Sequence, residues 1–462
     1  MDERTLKKTI FSTRIESRPA LKFPSTGAGM DSTFRIKKVL IGFHLMRALF
    51  VALLIVAAIP GTTDAQEWTR FRGPNGSGIS DAKSIPSRWT EDAFNWKVAI
   101  SGSGYSSPVV WGNRLFLTSA DEASGTCSLW CIHTQDGRTI WTHEFFKADY
   151  TKHQLNSRAS ATPALDENHV YVCWATDDEL VAQAISHQGD KVWTKSLGPY
   201  KAQHGIAASP IVHDGLLLIA NDQDDESSAL ALEATTGKIK WSVSRNTTAN
   251  YSTPCLFNTG DDMFDVIFSS RDRGLTAIDV RSGKIAWELA SFHSHVSVGS
   301  PIIADEYIVG ASGGVGVPDE VVTVGFQDKR NLQAPTELYR LEVSTSFVTT
   351  PLSHRGMLFT VSDEGIVLCV DLKTGKVHWK ERLKNKFYSS PVCVDDNIYF
   401  TARDGEVVVV EAADEFNLLA RNQVRDECHA TPAVSGGRMY VRTFSSLISI
   451  GGKRATAKRG TD

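Results

Sequence analysis

The sequence predicts an all-β fold, an eight-bladed β-propeller of four-stranded antiparallel blades, and three observations carry that prediction. Ser-Pro or Thr-Pro recurs eight times, at 107–108, 162–163, 209–210, 253–254, 300–301, 350–351, 390–391 and 431–432, spaced 40 to 55 residues apart. Each pair is followed by an apolar run, a tight turn and a second run, as in "WGNRLFLTS" or "VDDNIYFTA", which reads as a hairpin. Glycine precedes tryptophan by four residues in five units: Gly137/Trp141, Gly189/Trp193, Gly237/Trp241, Gly283/Trp287 and Gly375/Trp379. A period of this length built from short hairpins means small sheets arrayed around an axis.

Within a unit the hairpin supplies two strands. Turns such as Glu364-Gly365 and Asp404-Gly405 lead to a third, "IVLCVD" in the sixth unit, and Thr-Gly-Lys leads to a fourth that carries the tryptophan. The glycine supplies a turn with positive φ, and the indole is large enough to wedge between neighbouring blades with its N–H on a backbone carbonyl. Trp96, Trp141, Trp193, Trp241, Trp287 and Trp379 are therefore expected to dock blades and not to act in catalysis. The fifth unit, "SGGVGVPDEVVTVGFQDKRNLQAPTELYRLEV", lacks the motif, and the seventh, "EAADEFNLLARN", offers Phe416 and Leu418 instead. Both are expected to keep four strands but to dock more weakly.

The last unit, "TPAVSGGRMYVRTFSSLISI", provides only three strands, while "FNWKVAI" at 94–100 is a strand with a tryptophan and no unit of its own. The expectation is that 94–100 forms the fourth strand of the last blade. Closure of this kind pairs terminal edges that would otherwise invite aggregation.

Residues 39–60 are apolar apart from His44 and Arg47, and "GTTDAQEW" follows with small residues at 63 and 65. This is the pattern of an export signal cleaved after Ala65. Its apolar stretch from 48 to 59 is shorter than the ~20 residues of a membrane span; an uncleaved anchor is the alternative, and Met1, Met30 and Met46 are candidate starts. The expected organisation is a leader at 1–65, one propeller domain at 66–451 and a basic tail at 452–462. The protein is expected to be exported to the periplasm or beyond, with membrane contact only through the signal segment and no lipid anchor on cysteine. The first 65 residues hold ten of the 49 Lys/Arg and five of the 53 Asp/Glu, which leaves 39 against 48 and a balance of −9. That balance argues against a nucleic-acid partner.

Seven cysteines are scattered with no adjacent pair and no Cys-x-x-Cys. Cys127 and Cys131 lie four apart, ~13 Å along one strand face, too far for a disulfide on a regular strand. The acidic stretch "NDQDDESS" at 221–228 lacks the spacing of a calcium loop and reads as a solvated turn.

Propeller blades begin on the innermost strand, so residues shortly before each Ser/Thr-Pro should ring one mouth of the channel. They are Tyr105, Arg158, His204, Tyr251, His295, Phe347, Tyr388 and His429. Aromatic, imidazole and guanidinium groups in a ring suit a protein loop, a glycan or an anionic ligand; the plainer reading is that they pack against one another at the strand entries. The three histidines come from different blades and are not expected to hold a metal.

"WTRFRGPNGSGIS", "LNSRASATP", "FYSSPVCVDDNIYFTARDGEVVVVEA" and "HATPAVSGGRMYVRT" resemble the PQQ-like eight-bladed β-propeller repeat family, in particular its secreted bacterial members. That family includes relatives of quinoprotein alcohol dehydrogenases and of the outer-membrane assembly lipoprotein of the Bam complex. The dehydrogenase resemblance would imply PQQ under a ring of adjacent cysteines, a tryptophan floor, Ca²⁺ held by Glu and Asn, and a catalytic Asp. With no Cys-Cys pair, no cofactor and no catalytic or metal residue is expected. The expected function is a non-catalytic binding scaffold for envelope proteins, with outer-membrane protein assembly as the implied setting and a PQQ- and Ca-dependent dehydrogenase as the alternative.

Overall fold

Each Ser/Thr-Pro step delivers the chain into the innermost strand of a blade, one residue after the proline, at Val109, Ala164, Ile211, Cys255, Ile302, Leu352, Val392 and Ala433. Proline has no N–H to leave unpaired, so it is tolerated at the start of a strand whose outer edge faces the channel. The computed structural model describes residues 67–452 apart from 148–151, 154–155, 177, 293–294, 315–316, 327–334 and 343–346. The expected leader and the tail beyond Gly452 fall outside the described residues.

Eight antiparallel sheets follow in order, seven of them with four strands and one with a fifth, added strand. Blade 4 is representative, with strands Cys255–Gly260, Met263–Ser270, Gly274–Asp279 and Ile285–Leu289. The middle strands of the blades are buried on both faces, whereas the outermost strands alternate towards solvent and carry lysines such as Lys97, Lys191, Lys240 and Lys380. Charge on an exposed edge discourages pairing with a second sheet. Phe94–Ala99 pairs antiparallel with Ser446–Gly451 as the fourth strand of blade 8, so the ring is closed by an N-terminal strand. Among the described residues no helix is long and apolar enough to cross a membrane.

The Ser/Thr hydroxyls explain why the pairs recur. Ser107 N–H donates to Thr162 Oγ1, Thr162 N–H to Ser209 Oγ, Ser209 to Thr253, Thr253 to Ser300, Ser300 to Thr350, Thr350 to Ser390 and Ser390 to Thr431, each at 2.9–3.1 Å. In seven of the eight blades the entry residue thus satisfies its backbone donor on the hydroxyl of the next blade, the step from Thr431 back to Ser107 being the exception. Apolar residues at these positions would leave buried N–H groups unpaired.

A second ring of contacts runs around the outside. In all eight blades the register between the third and fourth strands slips by one residue, as at Lys191/Trp193 and Ala231/Leu232. The bulge turns the residue that follows towards the neighbouring blade. Trp96, Trp141, Trp193, Trp241 and Trp379 donate from Nε1 to the carbonyls of Thr134, His187, Ala234, Val280 and Ala413 in the next blade, at 2.8–3.1 Å. The Trp241 indole lies over Gly283, where φ is +70° and a Cβ would come within 2.5 Å of the ring. Glycine is thus required twice there, for the turn and for the close approach. Trp287 is buried against Phe326, with ring centroids 5.8 Å apart, and its Nε1 has no partner among the described residues.

The two irregular blades dock by substitution. In blade 5 Tyr339 occupies the position after the bulge, lies over Gly375 and donates to Leu372 O at 2.9 Å, in the way the tryptophans do elsewhere. In blade 7 that position is Ala420, and Leu418 is exposed. Trp89, from the segment leading to the closing strand, fills the gap: it stacks on Tyr399 at 6.3 Å, and its backbone N–H donates to Asn422 Oδ1. Phe416 receives Trp379 at 5.1 Å. The expected weakening at these blades is therefore compensated from elsewhere in the chain. The acidic turn also differs from expectation in part: Asp222 is buried on Arg245 at 2.7 Å, and only 224–226 are exposed.

Residues 67–80 cross one end of the channel. Trp68 bridges to Val110 of blade 1, Leu165 N–H of blade 2 donates to Thr69 O, the Asn75 amide exchanges two hydrogen bonds with the Leu256 backbone of blade 4, and Ile79–Ser80 adds in parallel to Val392–Val394 of blade 7. Arg72, fully buried, donates to the carbonyls of Gly76, Ser77, Thr350 and Pro351 at 2.9–3.1 Å, and Arg70 donates to Pro254 O. Burial without a carboxylate pulls the Arg72 guanidinium down to about 9. This end of the channel is stoppered by the chain's own arm.

Candidate functional site

With one end stoppered, the channel is a blind cavity of about 640 Å³. Its deep wall is the hydroxyl ring, from Thr162 through Ser300 to Thr431, together with Phe71 of the arm. Antiparallel order brings two sets of loops to the open end: the crossings that precede each Ser/Thr-Pro, and the hairpins between second and third strands.

Six of the eight residues expected at the mouth line the cavity: Tyr105, His204, Tyr251, Phe347, Tyr388 and His429. Arg158 instead pairs with Glu122 at 2.8 Å, and His295 stands outside the lining while its neighbour Val296 enters it. The aromatic members are in contact. His429 lies 4.6 Å from Tyr105, 5.1 Å from Tyr388 and 4.9 Å from Phe444, by ring centroids. Across the mouth, His204 lies 4.7 Å from His153 and 5.6 Å from Tyr251, with its carbonyl held by the Asn156 amide.

Burial, followed by the nearby Arg403 charge, pushes His429 down to about 4, so the ring is neutral. Arg403 Nε and Glu427 Oε1 both lie against His429 Nε2, at 3.0 and 3.1 Å. Arg403 is otherwise committed to the Tyr388 face at 4.6 Å and to Glu427 at 3.6 Å. Burial also lowers His204.

Two carboxyls that the sequence reading did not single out also line the cavity, Asp319 and Asp363. Asp363 accepts the Val348 N–H at 3.2 Å. Burial pushes it up to about 7, against the Val348 hydrogen bond and with help from the charge of Asp319. Burial alone raises Asp319. The available signal was topological: Asp363 sits in the "SDEG" hairpin between second and third strands, which faces the same end as the Ser/Thr-Pro crossings.

A profile of the PQQ-type repeat family described as outer membrane protein assembly factor BamB matches residues 177–318 and 330–418, half of the chain. The chain belongs to this family. A curated relative, outer membrane protein assembly factor BamB of Legionella pneumophila (strain Paris), is 24% identical over 194 residues, 41% of this chain and 48% of that protein. The chain's match thus spans about half the length of that relative. Among solved structures, BamB from Moraxella catarrhalis superposes with a TM-score of 0.57 at 12% identity, over 78% of this chain and 97% of that one. A europium-containing methanol dehydrogenase superposes at 0.59 and 11% identity, over 82% and 90%. Identities this low establish the shared fold and nothing finer.

The dehydrogenase likeness invites a test of fit for a quinone and its metal. Among the described residues the cavity lining contains no cysteine, no tryptophan and no lysine or arginine. The seven cysteines are free thiols buried in the blades. Asp319 and Asp363 are the acids of the lining, and no described group of three His, Cys, Asp or Glu converges elsewhere. The residues present do not fit the PQQ and Ca²⁺ site that the dehydrogenase resemblance would require.

Proposed function

We propose that the protein is a non-catalytic binding platform of the cell envelope, exported by its leader at 1–65, that holds a segment of a partner protein at the open mouth of its propeller. The family description as an outer-membrane protein assembly factor supports that setting. The observation that carries the reading is the blind cavity, rimmed by Tyr105, Tyr251, Phe347, Tyr388 and two histidines, whose lining does not fit a cofactor site. Aromatic anchors in a concave, preformed site are what a protein–protein hot spot uses.

Photo-crosslinking from a benzophenone amino acid at position 388, in intact envelopes, tests the reading against the same probe at Val377 on the outer edge of blade 6. Discrete adducts with one protein from 388 and none from 377 are expected. Equal, diffuse labelling from both positions would reject the platform. Titration with pyrroloquinoline quinone and Ca²⁺ should give no saturable binding.

A further inference from the structure

The aromatic residues mark the rim, and the hairpins beside them bring two carboxyls to the same open end. We propose that the cavity receives the ammonium or guanidinium head of a lysine or arginine side chain, presented by the partner segment, between Asp319, Phe347 and Asp363. This rests on the platform reading and names the chemistry of its partner.

A Cβ on Gly313 would lie 3.1 Å from the Phe347 ring and against the Asp319 carboxyl, so both groups close over a bare glycine. A carboxylate beside an aromatic face is a pairing that recognises organic cations. Asp319 makes no hydrogen bond or ion pair among the described residues, and Asp363 has only the Val348 amide on its carboxyl. Both carboxyls are only part-buried and neither is ion-paired among the described residues, so both stay open to a cation from outside.

Among the described residues no lysine or arginine lines the cavity, burial holds His429 neutral and shifts His204 the same way, and Arg403 is committed to Tyr388, His429 and Glu427. The mutual field of the two carboxyls contributes to the upward displacement of Asp363. A cation would relieve it, and an anion would be repelled.

Val296, Val298 and Phe347 offer apolar wall to a methylene stem, which suits the amphipathic side chains of lysine and arginine better than a compact hydrated ion. About 640 Å³ exceeds one side chain and leaves room for the flanking residues of a loop.

The test uses acetyl-Ala-Arg-Ala-amide and acetyl-Ala-Lys-Ala-amide, with the citrulline and norleucine peptides as uncharged isosteres and free agmatine as the small-molecule form of the same cation. Titration by NMR against the full chain should show both cationic peptides binding at least tenfold tighter than their isosteres. D319N/D363N should abolish that preference while leaving the melting temperature unchanged or higher, and Gly313→Ala should weaken it by filling the cradle. Equal binding of charged and uncharged peptides, or an undiminished preference in D319N/D363N, would overturn the proposal. Tighter binding of agmatine than of either peptide would overturn the choice of a protein partner. The crosslink at 388 separates the two readings: adducts of unchanged yield in D319N/D363N would leave the platform standing and remove the cation, whereas no adducts in the unmodified protein would remove the platform.

Discussion

At the end of the channel held by residues 67–80, two guanidiniums are buried on backbone carbonyls; at the open end, two half-buried carboxyls line the cavity with aromatic rings. The stoppered end answers most of its own charge: every nitrogen of Arg72 donates to a carbonyl, the buried Nε of Arg70 lacks a partner among the described residues, and five blades give hydrogen-bonding groups to the arm. The open end does not, since Asp319 is unpartnered among the described residues and Asp363 accepts one amide. Internal satisfaction is the mark of a part that stabilises, and unanswered polar groups in a concavity are the mark of a part that recognises. The same ring therefore uses its two faces for different purposes.

The sharpest way to break this comparison is to truncate one aromatic at each end. Trp68 is fully buried between the arm and blade 1, so Trp68→Ala should cost about 3–5 kcal/mol in urea unfolding. Phe347 is half-buried at the open mouth, and Phe347→Ala should cost less than about 1 kcal/mol, as surface substitutions do, while weakening cation binding. Equal losses at the two ends would remove the distinction.

Arg72→Leu is the next largest effect. It leaves the carbonyls of Gly76, Ser77, Thr350 and Pro351 without their donor, and unsatisfied buried acceptors together should cost about 2–3 kcal/mol. Lysine at the same position should recover only part of that, because one ammonium cannot reproduce the spread of a guanidinium. If Arg72→Leu melts like the unmodified protein, the arm is not held by its arginines.

How much of this was legible in the sequence follows from what each feature depends on. The blades, their four strands and the closing strand at 94–99 were readable because turn glycines, Ser/Thr-Pro steps and strand alternation are local. The tryptophan positions were readable too, but the role of Tyr339 and the replacement of a blade 7 tryptophan by Trp89 were not, since the latter pairing joins residues 310 apart. The Ser/Thr residues served only as a period marker; that they carry the inner hydrogen-bond ring needed the blades in three dimensions. Six of eight mouth residues were locatable from chain position, whereas Asp319 and Asp363 were not, because an aspartate in a hairpin turn looks the same whether its turn faces a cavity or solvent.

The smallest effect, and the one that most sharpens the contrast, is a gain of stability at Asp363. Its carboxyl is pushed up to about 7, first by burial, with Asp319 and Glu364 adding to the displacement and the Val348 amide and Arg403 opposing it. In the unfolded chain the same group ionises near ~3.9. Below about pH 4 both states hold the proton and the site costs nothing. Between about pH 4 and 7 the unfolded chain releases its proton while the folded protein keeps it, so stability falls as pH rises, and above 7 the loss is complete. The full displacement corresponds to about 4 kcal/mol, of which an asparagine that keeps the Val348 hydrogen bond should recover about 1–2 kcal/mol. Asp363→Asn should therefore raise stability at pH 8 and leave it unchanged at pH 4, measured by urea melts at both. A substitution that destabilises more at pH 8 than at pH 4 would mean that the folded protein already supplies this carboxyl with a counter-charge, and the open end would then be as self-satisfied as the stoppered one.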